Sequence, residues 1–127
     1  MLLFFRSRVR LYVYLPLEYN PDPEHPERPR APVPAEHRRL AIREIEEYLG
    51  DRFEGLNYEL VVRRRVVRGL WRDQERRIIT DKMLLVHLDV DLSRRDFLWL
   101  KHLKDTVWAA RFQQDKMYVI YHGIVEL

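Results

Sequence analysis

The stretch RVRLYVYLPL, residues 8–17, decides the fold because aliphatic residues alternate in it with arginines and tyrosines. The side chains of one parity are those of Val9, Leu11, Val13, Leu15 and Leu17. The side chains of the other parity are those of Arg8, Arg10, Tyr12 and Tyr14. A period of two over this length is typical of a β-strand with one buried face. We therefore predict a strand whose arginines and tyrosines point away from the core.

A second alternating stretch, MLLVHLDVDL at residues 83–92, predicts another strand. It is the end of a hairpin, because β-branched residues from Tyr58 to about Trp71 predict a preceding strand, and the sequence RDQE at residues 72–75 predicts the turn. The hairpin's second strand runs from about Arg77 to Leu92. The segment KMYVIYHGIVEL predicts a last strand at the end of the chain.

Two helices are predicted between these strands. The first covers about residues 35–49, with Gly50 in the position of a C-terminal cap. The second follows Ser93, which begins the capping-box sequence SRRD. A helical period places Leu98 opposite the core. The residues predicted on the core side of the second helix are Leu100, Leu103, Val107 and Ala110.

The predicted order of elements is β-α-β-β-α-β, so the fold class is α+β and the plan is ferredoxin-like. Right-handed crossovers place both helices on one face of a four-stranded antiparallel sheet with strand order 4-1-3-2. We expect one domain over residues 1–127, which is enough chain for one core. Six of the seven prolines lie at residues 21–34, which predicts an irregular surface arm at residues 18–34.

The composition restricts the location and the chemistry of the protein. The formal net charge is only +3, and most of the basic residues are arginines, which suit both ion pairs and phosphate recognition. The absence of cysteine excludes disulfides and thiol nucleophiles and fits a cytoplasmic protein. Asparagine and glutamine are scarce, as in thermophilic proteins. The opening MLLFF is too short for a signal sequence or a membrane span, so we expect no membrane association.

Four short segments carry a resemblance to a family. They are YVYLPLEYN at residues 12–20, DRFEGLNYEL at 51–60, GLWRDQ at 69–74 and RFQQDKMYVIY at 111–121. With them the chain resembles small uncharacterised bacterial ferredoxin-like proteins, although its proline-rich arm is longer than their loop. The resemblance implies the fold. It implies no activity and no cofactor.

An arginine-rich run, VRRRVVR at residues 62–68, mixes valines and arginines on both parities of the predicted edge strand. A bulge near Arg63–Arg65 would shift the parity and separate the two kinds of side chain. Charges on an edge strand prevent unwanted pairing with other strands. The same arginines would also suit phosphate binding, so both interpretations stay open.

Three functions follow from these patterns. The first is a non-enzymatic accessory or binding domain that forms a homodimer, because a sheet face rich in tyrosine, methionine and arginine is typical of an interface. The second is nucleic-acid binding at the open sheet face and the arginine-rich hairpin. The candidate binding residues are Arg8, Arg10, Tyr12, Tyr14, Arg63, Arg65 and Trp71.

The third function is a metal-dependent enzyme. His87 and Asp89 lie two residues apart on a predicted strand, so they project to the same side and form a weak candidate metal pair. No phosphate-binding glycine loop, nucleophile elbow or zinc-protease motif occurs in the sequence. We therefore expect no catalytic residues and no resident cofactor.

Overall fold

The computed structural model describes residues 6–52, 62–72 and 75–124 of the 127-residue chain. In this part of the chain the fold is α+β, with a four-stranded antiparallel open sheet and two helices. The strands are β1 (Arg6–Pro16), β2 (Val62–Arg72), β3 (Ile78–Ser93) and β4 (Val119–Gly123). Written from the β2 edge, the order is 2-3-1-4 instead of 4-1-3-2. Both strings describe the same neighbours, with β1 and β3 in the centre.

The two helices lie between strands in the chain. Helix α1 is Ala35–Arg52. Helix α2 begins as an α-helix (Arg94–His102), continues as a π-helical segment (Leu103–Trp108) and ends in a short α-helical turn (Ala109–Arg111). The predicted helix end at Gly50 is wrong, because α1 continues through this exposed glycine at the modest cost of a glycine in a helix. The predicted turn and strand start at residues 53–61 lie outside the described residues.

The pairing of β1 with β3 organises the sheet. Eleven consecutive pairs run in antiparallel register, from Arg6 opposite Ser93 to Pro16 opposite Met83. The aliphatic side chains of one parity on both strands are buried together with side chains from α1 and α2. Both helices therefore pack on the same face of the sheet, and the other face, called the open face below, carries no helix of the described chain.

The second helix buries different side chains from those predicted because of its π-helical segment, Leu103–Trp108. A π-helix closes its hydrogen bonds over one more residue than an α-helix, so the side chains that follow are rotated by about one position. Trp108 and Phe112 are fully buried, whereas the predicted core residues Val107 and Ala110 are exposed. The residues predicted to be buried before this segment are buried.

The start of α2 is held by the predicted capping box. The backbone N–H of Ser93 donates to Asp96 Oδ2 at 2.7 Å, and the Ser93 hydroxyl accepts from the Asp96 N–H at 3.4 Å. The Tyr48 hydroxyl of α1 donates to Asp96 Oδ1 at 3.0 Å. Its ring stacks on Trp99 of α2 with a centroid distance of 3.7 Å. These contacts connect the two helices at the sheet end where β3 finishes.

The bulge predicted near Arg63–Arg65 is wrong. Strand β2 pairs with β3 without interruption from Val62 opposite Leu88 to Arg72 opposite Ile78. Since β1 begins to pair with β3 only at Met83, residues 78–82 pair with β2 alone. This distal hairpin extends beyond the rest of the sheet, so both of its faces are largely solvent-exposed and neither face requires a purely apolar parity.

The proline-rich arm, residues 18–34, is irregular, and its two ends are tied together. The Tyr19 N–H donates to the Ala31 carbonyl at 2.9 Å, and the Val33 N–H donates to the Leu17 carbonyl at 2.9 Å. The side chain of Val33 is buried in the main core. The arm therefore starts and ends at the β1 end of the sheet. No helix of the described residues has the length and apolar character that crossing a membrane requires.

The dependence of the fold on the buried face of β1 can be tested with two leucines. Leu11 is 1% exposed in the centre of β1, and Leu98 is 57% exposed on α2. We expect Leu11→Ala to lower the free energy of unfolding by about 2–5 kcal/mol through lost burial and a cavity. Leu98→Ala should change it by less than about 0.5 kcal/mol. Urea denaturation measures both, and equal losses would contradict the assigned faces.

Candidate functional site

The open face collects all seven binding candidates named from the sequence. From β1 it takes Arg8, Arg10, Tyr12 and Tyr14, which pair in register with Asp91, Asp89, His87 and Leu85 of β3. From β2 it takes Arg63, Arg65 and Trp71, which pair with His87, Leu85 and Ile79. Adjacent strands lie about 4.8 Å apart, so Arg63 and Tyr12 on either side of His87 are about 10 Å apart.

The two arginines of β1 are already engaged by carboxylates. Arg10 Nε and Nη2 donate to the two carboxylate oxygens of Asp89 at 2.7 and 3.0 Å. Arg8 Nη1 donates to Asp91 Oδ1 at 3.5 Å. The hydrogen bonds from Arg10 lower the pKa of Asp89, and the Asp89 carboxylate in turn raises the pKa of Arg10. These pairs neutralise much of the positive charge in the centre of the open face.

A row of aromatic rings crosses three strands beside these ion pairs. The Tyr12 ring stacks on His122 of β4 with a centroid distance of 4.8 Å and an interplanar angle of 12°. It also stacks on His87 of β3 at 5.9 Å and 10°. The row gives the open face a planar surface that remains partly accessible, because Tyr12 and His87 are half-buried and His122 is exposed.

The arrangement does not favour the metal hypothesis for His87 and Asp89. Both oxygens of Asp89 accept hydrogen bonds from Arg10. Within the described ranges, no group of three or more histidine, aspartate or glutamate side chains is placed to hold a metal ion. The nearest other imidazole, that of His122, lies on the far side of the Tyr12 ring.

The arginines of β2 differ from those of β1 because they have no carboxylate partners. Arg63 and Arg65 lie on the open face, and Arg64 and Arg68 lie on the opposite side of the strand. All four are exposed, and none forms an ion pair with another described residue. Arg68 instead lies directly opposite Lys82. The edge strand therefore carries concentrated positive charge that no described acid neutralises.

A cavity of about 400 Å³ lies at the end of the open face, where the distal hairpin meets the arm and the start of β4. Its lining includes Tyr14, Gly69, Trp71, Met83 and Tyr118. The Trp71 indole N–H donates to Asp81 Oδ2 at 2.5 Å, which fixes the ring beside the opening. A Cβ atom on Gly69 would lie 2.9 Å from Met83 Cε, so only glycine leaves Met83 its present position.

The arm contributes to this cavity through Arg30. Its Nη2 lies 2.6 Å from Asp81 Oδ1, its Nε donates to the Tyr19 carbonyl at 2.7 Å, and its Nη1 donates to the Thr80 carbonyl at 3.0 Å. The sequence analysis missed this residue and the cavity. Arg30 sits among prolines with no local pattern, and its partner Asp81 is about fifty residues away in the chain.

Comparison of the chain with protein-family models, with curated proteins and with solved structures gives no match. The chemistry of the open face is therefore interpreted from its own geometry. That geometry combines an internally paired centre, an arginine-rich edge without acids and an aromatic cavity at one end.

The Arg10–Asp89 pair predicts a pH dependence of stability. Because the folded state lowers the pKa of Asp89, the ion pair stabilises the fold above the usual carboxyl pKa of about 4. This contribution is lost as the pH falls through the lowered pKa. We expect about 0.2–1 kcal/mol, since both side chains are partly exposed.

Urea denaturation at pH 7, 4, 3 and 2 measures this contribution. Between pH 4 and pH 2, Asp89→Asn should lose less of its free energy of unfolding than the unmodified protein does. Arg10→Gln should behave in the same way, because either change removes the pair. If Asp89→Asn retained the full acid dependence, the pair would not be its source.

Proposed function

We propose that the protein binds nucleic acid through the arginines of β2. The observation that carries the proposal is the composition of this edge strand, since Val62–Arg72 holds five arginines and no acid. Arginine forms bidentate contacts with phosphate, and an exposed arginine without a carboxylate partner is free to do so. A nucleic-acid backbone supplies phosphates at regular intervals along such a strand.

The distribution of charge along the chain supports this proposal. Residues 62–82 contain eight arginines and lysines and three acids, whereas the rest of the chain contains 15 basic and 17 acidic residues. The hairpin is thus strongly basic, and the remainder is slightly acidic. A basic segment on an otherwise acidic protein is the usual electrostatic pattern of a nucleic-acid contact.

The open sheet with both helices on one face supports a ferredoxin-like plan, in which RNA-binding domains stack bases on the uncovered strands. In this chain the centre of that face is less suited to phosphate than its edge, because Asp89 and Asp91 lie beside the arginines of β1. We therefore assign phosphate contacts to β2 and leave the Tyr12 row as an accessory stacking surface. A cytoplasmic location is part of the same proposal, in keeping with the absence of cysteine.

The proposal is tested by replacing Arg63, Arg64 and Arg65 together with glutamine. We expect the triple variant to bind a fluorescent single-stranded oligonucleotide at least about tenfold more weakly at low salt. Three lost phosphate contacts should make the slope of log K against log salt concentration shallower by about 2, at about 0.7 per contact. Fluorescence anisotropy across a salt series measures both values.

A matched control replaces Arg43, Arg94 and Arg95 of the helices with glutamine. These arginines are also exposed, so the control has the same net charge as the test variant. It should retain the affinity and the salt slope of the unmodified protein. Equal losses in the two triple variants would show that net charge alone drives binding, and binding that does not respond to salt would contradict the proposal.

Self-association is a second proposed function, and the observation that favours it lies at the other edge of the sheet. Strand β4 has no charged lysine, arginine or acid in Val119–Gly123. Beside β1, it is the last strand of the described sheet, and Tyr118, Ile120 and Tyr121 are all about half exposed. Uncharged edge strands readily pair with another chain. Two copies joined at β4 would form one continuous eight-stranded sheet.

Ile120→Lys tests this second proposal, because it places a charge in the centre of the β4 edge and leaves the backbone bonds to β1 intact. We expect light scattering to show a dimer for the unmodified protein and a monomer for the variant. Leu98→Lys is the control, since it places the same charge on the exposed side of α2 and should remain dimeric. A monomeric unmodified protein at millimolar concentration would contradict the proposal.

A further inference from the structure

We propose that the cavity at the end of the open face, lined by Trp71, Tyr14 and Tyr118, binds one unstacked base of a single-stranded nucleic acid. This inference rests on the proposed nucleic-acid binding by β2 and specifies the form of its ligand. A base inside a duplex is stacked on both sides and cannot enter a side pocket, whereas a base of a single strand can. The cavity volume of about 400 Å³ lies in the usual range of small-molecule sites and admits a base.

The aromatic lining provides the stacking surface. Trp71 is 39% exposed and Tyr118 is 53% exposed, although both are large rings beside a concave opening. Tyr14 is half-buried in the cavity wall. Every base has a planar π-face, so stacking on tyrosine or tryptophan binds bases without requiring a specific sequence.

The Trp71 ring is fixed before any ligand binds. Its indole N–H donates to Asp81, and Asp81 is held by Arg30 of the arm at 2.6 Å. Arg30 is itself anchored to the Tyr19 and Thr80 carbonyls. A ring that is already held in place loses little conformational freedom when a base stacks on it, which favours binding.

The cavity lies in line with the arginines of β2. Gly69 lines the cavity and lies on the same side of the strand as Arg65, four residues earlier. Four residues of a β-strand span about 13 Å. A short stretch of extended single strand covers this distance, so its phosphates can contact Arg63 and Arg65 while a base further along enters the cavity.

The charges around the cavity favour a base over a phosphate. Glu18, Asp81 and Asp115 contribute carboxylates to the lining, and Lys82 and Lys116 contribute ammonium groups. The carboxylates repel a phosphate and can accept hydrogen bonds from the amino groups of a base. The cavity therefore complements the arginine strand, which has no acid, and the two parts bind different portions of the same nucleotide chain.

Tryptophan fluorescence tests this inference directly. Among the three tryptophans, Trp108 is fully buried and Trp99 is stacked on Tyr48, so quenching by a bound base reports mainly on Trp71. The probes are octamers of uridine and of deoxythymidine, together with an abasic deoxyribose octamer that has the same phosphates. We expect the base-containing octamers to quench the fluorescence and the abasic octamer to leave it unchanged.

Variants separate the cavity from the arginine strand. Trp71→Leu and, independently, Tyr118→Leu should weaken binding of the base-containing octamers by about tenfold in fluorescence anisotropy and leave binding of the abasic octamer unchanged. Trp99→Phe is the control and should retain both the affinity and the quenching. Quenching by either the RNA or the DNA octamer supports the inference, and the tighter of the two identifies the preferred sugar.

Two results would overturn the inference, and they differ in what they imply for the proposed function. If base-containing and abasic octamers bound equally and neither quenched Trp71, the cavity would not hold a base, although phosphate binding by β2 would stand. If no octamer bound at low salt, the nucleic-acid proposal would fail and the cavity inference with it.

Discussion

The burial of one face of β1 against both helices is the constraint on which the rest of the structure depends. In an antiparallel pair, side chains directly opposite each other share a face, so fixing the buried parity of β1 also fixes that of β3 through eleven consecutive pairs. Val13 and its partner Val86 are buried, and therefore Tyr12 and His87 must lie on the open face. A slip of one residue would bury Arg10 and expose Leu11, at a cost that no surface contact offsets.

The same constraint explains which parts of the fold the sequence could predict. The strict alternation of residues 8–17 and the capping box at Ser93 are local signals, and the structure contains both features where they predict them. The π-helical segment at Leu103–Trp108 has no comparable signal. It rotates the end of α2 so that Trp108 is buried and its indole N–H donates to Glu44 of α1 at 3.1 Å. This gain comes from tertiary packing, which a helical period calculated from the sequence does not include.

The candidate site was predictable as a set of residues on one face, but the ionic state of those residues was not. Arg10 and Asp89 are 79 positions apart in the chain, and their hydrogen bonds exist only in the observed register. The sequence analysis expected charged surface residues of both signs to pair generally. The structure divides the arginines into a paired group on β1 and a group on β2 without described partners, and a bulge was wrongly predicted because the distal hairpin has no buried face to satisfy.

The two edges of the sheet show why the arginines of β2 require more than a protective role. Charge on an edge strand prevents pairing with other chains, and one or two charged side chains are enough for this. Strand β4 lacks such charges entirely, so protection of edges is not applied evenly in this sheet. Strand β2 has five arginines, and Arg68 lies opposite Lys82, where like charges destabilise the pair. A polyanion along β2 would turn this repulsion into attraction, whereas edge protection alone leaves its cost without compensation.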